Sequence, residues 1–174
     1  DYIHSITSVV IEEGVTSIGS YAFFEQLALE SVSIPASLRS VGQLAFAYCR
    51  ALKEIPIPAT VDTVGMGAFG FCTAMTTAVI GEGVTSVGKQ AFSGDMLNEF
   101  INSTLTIARL DENGEKVYRY YAPALESVKL TAATSIGESA FAYCRSLKSV
   151  ELGSGITHVS AQAFFHNVAL TDVN

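Results

Sequence analysis

The sequence predicts a single α/β solenoid in which short repeats stack a parallel sheet on one face and short helical or irregular turns on the other. Three observations predict this fold. The dipeptide Ala-Phe recurs six times, and four consecutive copies are 23 residues apart. An aliphatic residue and, in five copies, a glycine precede Ala-Phe at fixed offsets, and a strand-like apolar pattern lies upstream of each copy. Each unit is too small to bury its own apolar face, so the units must stack.

The composition is that of a folded chain. Of the 174 residues, 49% are hydrophobic and 16% are charged, which is enough apolar material for a core and too much for disorder. No apolar run approaches the roughly 18 residues that a membrane-spanning helix requires. Ten Lys and Arg against seventeen Asp and Glu give a net charge of −7. This balance argues against nucleic acid or an anionic membrane as the partner.

The repeat boundaries follow from the Ala-Phe spacing. The copies predict repeats at about 6–28, 29–51, 52–74, 75–96, 125–146 and 147–169, with a truncated seventh at 170–174. Between Phe92 and Phe141 the interval is 49 residues instead of 23, which places an insertion at residues 97–124. Because the last repeat is incomplete and the chain begins at Asp1 rather than Met, we expect a fragment of a larger protein that contains one repeat domain.

Each unit has the same internal order. In the sixth copy a short strand spans residues 147–152, and a turn rich in Gly follows it. The aliphatic pair Ile156 and Val159 comes next, before a short helical or irregular turn around Ala163-Phe164. Stacking converts each aliphatic position into a continuous ladder, and we expect the strands to join one parallel sheet.

The repeat resembles a known family. The run Leu147-Lys148-Ser149-Val150-Glu151-Leu152, followed by Gly155-Ile156-Thr157-His158-Val159 and Ala163-Phe164, is similar to the leucine-rich repeat. Ile34-Pro35 and Val15-Thr16-Ser17-Ile18-Gly19 resemble its 23-residue BspA-like class more narrowly. The resemblance implies a right-handed leucine-rich-repeat solenoid with strands on the concave side. It also implies a secreted or cell-surface bacterial or protist protein that binds host proteins or mediates adhesion, without catalysis.

Two motifs resemble sites of known chemistry, but the repeat pattern accounts for both motifs more simply. Residues 65–70 satisfy G-x-G-x-x-G, but dinucleotide binding needs a strand, a long helix and an acidic residue within one βαβ unit, and Gly65 is the turn glycine of its repeat. Cys49, Cys72 and Cys144 each stand three residues after the Phe of an Ala-Phe pair. An odd count without a C-x-x-C pair disfavours a disulfide framework or a metal site, so we interpret them as buried structural thiols.

The sequence predicts no catalytic, cofactor-binding or metal-binding residues. His158 and His166 are separated by eight positions, which matches no common ligand spacing. No repeat position departs from the pattern in a way that would hold a Ser or Cys nucleophile beside a base. Glu126 and Glu151 on neighbouring strands could meet the separation of paired glycosidase carboxylates. We favour the alternative that both are solvated sheet residues beside lysines.

The first candidate binding surface is the strand face that is expected to be concave. Its outward positions are mostly small and polar, with few of the aromatic and Arg residues that usually dominate binding energy. A merely solvated sheet face is therefore an alternative of similar weight. The charged candidates on this face are Lys53, Glu54, Glu126, Lys129, Lys148 and Glu151.

The second candidate surface is the insertion. Two strand-like runs flank Asp111-Glu112-Asn113-Gly114, and Asn-Gly between alternating segments is a strong hairpin signal. We therefore predict an inserted β-hairpin. It carries residue types favoured at recognition surfaces, namely Arg109, Tyr118, Arg119, Tyr120 and Tyr121. In the alternative, which stays open, Tyr118 and Tyr120 pack on the flank of the solenoid and plug the interrupted repeat.

These observations favour a non-catalytic recognition module of a cell-surface or secreted protein, which binds a host protein or a glycan. The alternative is a structural spacer array in which another domain of a larger surface protein carries binding or catalysis. No cofactor is expected, and the protein or glycan partner is not identified. The truncated repeats also allow end-to-end self-association through their apolar columns.

Overall fold

The computed structural model describes residues 5–94, the backbone of residues 109–110 and 116–117, and residues 123–174. Within these residues the chain forms a β-solenoid whose coils are the 23-residue repeats. The strands are β1 (Ser8–Val10), β2 (Ser17–Ile18), β3 (Ser31–Ser33), β4 (Ser40–Val41), β5 (Glu54–Ile57), β6 (Thr63–Val64), β7 (Thr77–Ile80), β8 (Ser86–Val87), β9 (Arg109–Leu110), β10 (Lys116–Val117), β11 (Ser127–Leu130), β12 (Ser135–Ile136), β13 (Ser149–Leu152), β14 (His158–Val159) and β15 (Asp172–Val173).

The longer strands lie side by side and form the face that we call sheet A, which comprises β1, β3, β5, β7, β11, β13 and β15. Ladder hydrogen bonds join β1 to β3, β5 to β7, β11 to β13, and β13 to β15, all in parallel. Asn174 shows the regular bond, because its N–H donates to the Val150 carbonyl of the preceding coil at 3.0 Å. Pro56 holds the same register position in β5 and has no N–H, so this bond to β3 is missing.

A second parallel sheet, sheet B, runs in the order β14-β12-β8-β6-β4-β2. Each of its strands consists of the second residue of the aliphatic pair and the residue before it, so the expectation of one parallel sheet was incomplete. The second residue of each strand except β14, for example Val41 or Ile136, is buried in the core, whereas Val159 of β14 is exposed. The first residue is Ser or Thr in every strand except β14, which has His158. Strands of two residues are therefore long enough to form this sheet, because each coil contributes one in the same register.

The segments around Ala-Phe are not helices. We call the stretches 21–25, 44–48, 67–71, 90–94, 139–143 and 162–166 the turn segments. In the first of them Tyr21, Phe23 and Glu25 donate their N–H groups to carbonyls of the next coil, whereas Ala22 and Phe24 donate three residues back. Inter-coil bonds thus replace the bonds that a helix would make within one segment. The described chain is therefore all-β rather than α/β, and none of its segments forms a helix that could cross a bilayer.

The core is a set of stacked ladders. The phenylalanines of the Ala-Phe pairs stack from coil to coil between Phe23 and Phe164, with ring centroids 5.0 to 5.5 Å apart and rings nearly parallel. Phe46, Phe69, Phe92 and Phe141 are fully buried. Leu, Ile and Val at the strand positions form parallel ladders beside them. The coil is thus held by identical residues on successive levels, as the apolar columns of the sequence predict.

The insertion leaves this stack uninterrupted. β8 pairs directly with β12, with Ser86 opposite Ser135 and Val87 opposite Ile136. The hydroxyl of Thr134 also donates to the carbonyl of Thr85 at 3.0 Å, across the 49 residues between them. The fourth and fifth repeats are therefore adjacent coils, and the additional residues leave and re-enter the solenoid between them.

Apart from Pro123 and Ala124, only four residues of the insertion are described, and only by their backbone. β9 and β10 pair in antiparallel fashion, with Leu110 opposite Lys116 and Arg109 opposite Val117. This pairing has the direction that a hairpin requires. The turn and the remaining strand positions, including Tyr118, Arg119 and residues 120–121, lie outside the described residues, so the hairpin as a whole stays a prediction.

Candidate functional site

The outer face of sheet A carries three columns of exposed positions. The edge column precedes the strands and consists of Thr7, Glu30, Lys53, Thr76, Glu126, Lys148 and Thr171. The first column begins the strands with Ser8, Ser31, Glu54, Thr77, Ser127, Ser149 and Asp172. The second column follows two residues later with Val10, Ser33, Pro56, Val79, Lys129, Glu151 and Asn174. The buried ladder residues, such as Val32 and Val150, lie between the last two columns.

Five of the six charged candidates on this face form ion pairs between neighbouring coils. Lys53 Nζ lies 2.6 Å from Glu30 Oε2 in the preceding coil. The corresponding distance is 3.1 Å between Lys148 and Glu126, and Lys129 Nζ lies 2.9 Å from Glu151 Oε1. The sixth candidate, Glu54, is exposed in the first column.

Two of these ion pairs shift the pKa of one member in the expected direction. The hydrogen bond from Lys53 lowers the pKa of Glu30, and the hydrogen bond to Glu151 raises the pKa of Lys129. Because the pairs are more than half exposed, they contribute little to stability. Their effect is to fix the position of charges on the surface.

The carboxyl end of the face forms a shallow cleft of about 510 Å³. Its polar lining residues are Ser127, Lys129, Ser149, Glu151, Asp172 and Asn174. Glu126 and Glu151 each have a lysine partner, so neither lies in the apolar environment that keeps a catalytic acid protonated. The cleft offers hydroxyl, amide and charged groups to a ligand, and its lining includes no aromatic side chain.

The amino-terminal half of the same face is mostly apolar in its second column, where Ser33 is the one polar residue. Val10 is 69% exposed and Val79 is 58% exposed, with the exposed Pro56 between them. In the other half this column changes to Lys129 and Glu151. The face therefore combines an apolar part and a charged part along a single column.

The three cysteines are buried and free, and each acts as a hydrogen-bond donor to the preceding coil. The Sγ atoms of Cys49, Cys72 and Cys144 lie 3.1, 3.2 and 3.3 Å from the carbonyl oxygens of Phe23, Phe46 and Phe92. Burial raises the pKa of Cys49 to about 12 and also raises the pKa values of Cys72 and Cys144. Such thiols are poor nucleophiles, which agrees with the interpretation of structural thiols.

The G-x-G-x-x-G motif lies in the third turn segment and its approach, where Gly67 has a φ of 59° and the Phe69 N–H donates to the next coil. A turn replaces the helix that would bind a pyrophosphate. His158 begins β14 on sheet B, and His166 stacks on Tyr143 with ring centroids 5.1 Å apart. In the part of the chain that is described, no group of three His, Cys, Asp or Glu side chains could hold a metal ion.

The structure shows a partly buried aromatic cluster that sequence reasoning missed, in which Phe71 is only 4% exposed. On the outside of the first three turn segments, Tyr21 contacts Phe24, Phe24 contacts Tyr48, and Tyr48 stacks on Phe71 at 4.5 Å. The guanidinium carbon of Arg50 lies 5.9 Å from the centre of the Tyr48 ring. The signal was present in the positions one and two residues after the Phe of each repeat, which are aromatic in several copies.

A family model described as the BspA type leucine rich repeat region matches six copies, over residues 1–114 and 111–174. The chain belongs to the BspA-type leucine-rich repeat family. The match includes the residues of the insertion, and the structural period of the BspA-type repeats continues on both sides of it. No curated protein matches the chain.

Similar solved structures show the same fold. A leucine-rich repeat protein of T. pallidum is 24% identical, with a TM-score of 0.77, and the match covers 97% of this chain and 69% of that one. A leucine-rich cell surface protein of Faecalibacterium prausnitzii is 17% identical, with a TM-score of 0.54 and 98% and 60% coverage. A leucine-rich repeat protein of Bacteroides ovatus is 22% identical, with a TM-score of 0.53 and 96% and 44% coverage. The present BspA-type chain thus spans about half to two thirds of these relatives.

Proposed function

We propose that this chain is a non-catalytic recognition module of a cell-surface or secreted protein, which binds a host protein or a glycan. Its binding surface would comprise the outer face of sheet A and the insertion. Membership of the BspA-type family supports the module, and the description of the Faecalibacterium relative as a cell surface protein supports the location. The paired and exposed charges of sheet A supply fixed polar contacts for a ligand.

One observation carries the proposal furthest, namely the direct stacking of the fourth and fifth coils. Val87 pairs with Ile136 in register, so sheet B runs from the fourth coil to the fifth without a gap. This continuity supports a role for the tyrosines and arginines of the insertion other than filling an interrupted repeat. In repeat proteins, insertions often lie on the binding face.

The position of the insertion also supports the proposal. The chain leaves the solenoid after Gly94 and returns at Pro123, three residues before Glu126 of the edge column. The described chain thus resumes next to the charged edge column of sheet A. We infer that one ligand contacts both surfaces, which were separate candidates in the sequence.

A binding screen tests the proposal. Immobilised host matrix proteins and a glycan array are probed with the chain and with a variant that lacks residues 97–122. An Arg39→Ala variant serves as a control on sheet B, where the Arg39 guanidinium bonds to carbonyls of its own loop. We expect at least one ligand to bind both the chain and the control variant. Its affinity should fall when residues 97–122 are deleted or when Lys129 is replaced by Ala. Failure of every probe to bind would favour a structural spacer array instead.

A further inference from the structure

Sheet A is interrupted between the second coil, residues 29–51, and the third coil, residues 52–74. Sheet B is one ladder through its six strands, whereas no ladder joins β3 to β5 in the described chain. The step from β7 to β11 also lacks a ladder, but it adjoins the insertion. Both coils beside β3 and β5 are described throughout, and we call the side of their interface that carries these two strands the seam.

Two prolines account for the interruption at the seam. In the carboxyl-terminal coils, the N–H groups of Gly153 and Asn174 each donate to a carbonyl of the preceding coil at 3.0 Å. The corresponding positions of the third coil are Pro58 and Pro56. Because proline has no N–H group, the seam lacks two of the donors that regularly join neighbouring strands of sheet A.

The loops that follow the strands show the same difference. Between the first and second coils, the Gly14 N–H donates to the Ser37 hydroxyl, which in turn donates to the Val15 carbonyl, both at 2.9 Å. Thr60 stands 23 positions after Ser37, in the third coil, and its buried hydroxyl has no hydrogen-bond partner within the described chain. A buried hydroxyl without a partner is costly, so the seam is poorly bonded in its loops as well.

The opposite side of the same two coils is regularly bonded. In sheet B, the Gly65 N–H donates to the Val41 carbonyl at 2.9 Å. In the turn segments, the Phe46 N–H donates to the Ala68 carbonyl at 2.8 Å. The second and third coils are therefore joined firmly along sheet B and the turn segments, and weakly along sheet A. This asymmetry defines an axis about which one coil can tilt against the other.

One ion pair crosses the seam on the outer face. Lys53 Nζ lies 2.6 Å from Glu30 Oε2, and the backbone N–H of Lys53 donates to the Glu30 carbonyl at 3.4 Å. Both side chains are more than half exposed, so salt screens their attraction. Beneath them, Val32 and Ile55 belong to the same buried core cluster. The core thus limits any opening of the seam to a bend.

We propose that the seam is a hinge, at which the first two coils bend against the third about sheet B. The bend changes the spacing of β3 and β5, and the ion pair between Glu30 and Lys53 favours the closed form. A face that can change its curvature at one step adapts to a ligand better than a regularly bonded sheet does. The inference does not depend on the proposed recognition function, because it follows from the bonds between the coils.

Spin labels on two pairs of introduced cysteines test the hinge by dipolar EPR spectroscopy. One pair replaces Ser31 and Thr77, the first residues of β3 and β7, and the other replaces Ser40 and Ser86, the first residues of β4 and β8. Each pair spans two coil steps, so its backbone separation is about 10 Å. The three native cysteines are buried, which protects them from labelling. We expect a broader distance distribution for the pair on sheet A.

Pro56→Val is the decisive variant, because it restores a donor at the seam. Valine occupies this position in β1 and β7, as Val10 and Val79, so it fits the strand. The sheet A distribution should narrow to the width of the sheet B distribution. Pro35→Val is the matched control, because it adds an N–H group where β1 and β3 are already paired. It should leave both distributions unchanged.

Glu30→Gln tests the ion pair without adding a backbone donor. We expect the open fraction at the seam to rise by up to about five-fold, and 1 M salt should have a similar effect on the parent chain. Equal widths for the two label pairs in the parent chain, or a sheet A width that Pro56→Val does not change, would overturn the hinge. An unchanged distribution in Glu30→Gln would overturn the role of the ion pair. Circular dichroism of each labelled variant establishes that it is folded.

Discussion

The rings of Phe92 and Phe141 stack with centroids 5.2 Å apart and 4° between their planes, although 49 positions separate them in the chain. Their spacing equals that of Phe46 and Phe69, which are 23 positions apart, to within 0.2 Å. The core therefore continues through the insertion without a change of period.

Deletion of residues 97–122 should preserve the fold. The deletion restores the 23-residue interval between Phe92 and Phe141 and leaves the contacts of β8 with β12 in place. We expect cooperative thermal unfolding with a Tm within a few degrees of that of the full chain. The comparison is a variant that lacks residues 97–110, in which the interval between Phe92 and Phe141 is not a multiple of 23 residues. Loss of cooperative unfolding in the in-period variant would contradict the continuous core.

Phe69→Ala should be strongly destabilising. Phe69 is fully buried between Phe46 and Phe92, and its removal opens a cavity that the stacked coils cannot close. The expected loss is about 3–5 kcal/mol in the free energy of unfolding, measured by urea denaturation. Phe165→Ala is the control, because Phe165 is 43% exposed and should cost about 1 kcal/mol. Similar losses for both variants would contradict the dominance of the phenylalanine ladder.

The buried thiols should make the fold sensitive to alkali. The pKa of Cys49 is about 12 in the folded chain against an ordinary value of 9.0, so the folded state retains its proton where the unfolded state loses it. The stability that results is complete below pH 9 and is lost as pH rises toward 12, by about 1.4 kcal/mol per pH unit for each such thiol. Urea denaturation between pH 8 and 10 measures this slope. Cys49→Ala should reduce the slope, whatever its effect on stability at pH 7, and an unchanged slope would contradict the assignment.

Gly83→Ala should destabilise the stack by about 1–3 kcal/mol. A Cβ atom at Gly83 would lie 1.7 Å from the carbonyl oxygen of Ala59 in the preceding coil, so the two backbones would have to separate. Gly19→Ala is the matched control, because a Cβ atom there has no neighbour within 4 Å. The control should be neutral or slightly stabilising, since alanine reduces the conformational freedom of the unfolded chain. Equal effects in thermal denaturation would contradict close packing of the loops.

Much of the fold was predictable because it depends on columns of identical residues. The 23-residue spacing of Ala-Phe predicted the coil, and the aliphatic positions predicted which residues are buried, such as Val41 and Ile136. The ion pair between Glu30 and Lys53 also follows from this period, since the two residues are 23 positions apart. Within the candidate surface, the sequence therefore identified charged residues that the fold brings together in pairs.

The turn segments could not be predicted in the same way. Residues such as Tyr48 and Leu44 have positive φ angles, which non-glycine residues rarely adopt. What stabilises them is the set of hydrogen bonds to the next coil, and no local pattern reveals a bond between residues 22 positions apart. The sequence pattern therefore predicted only a short helical or irregular turn around Ala-Phe, without distinguishing the two. Sheet B was missed for a related reason, since two-residue strands are too short for an alternating pattern.

The direction of the hydrogen bonds in the turn segments has a consequence for how such an array changes in length. Every described inter-coil bond within these segments runs from an N–H group to the carbonyl of the following coil, as from Phe46 to Ala68 and from Phe92 to Ala140. Removal of one whole coil leaves each donor opposite an equivalent acceptor, and addition of one coil does the same. Duplication or loss of 23 codons would therefore alter the distance between the two ends by about 4.8 Å and leave the local bonding pattern of every remaining coil intact.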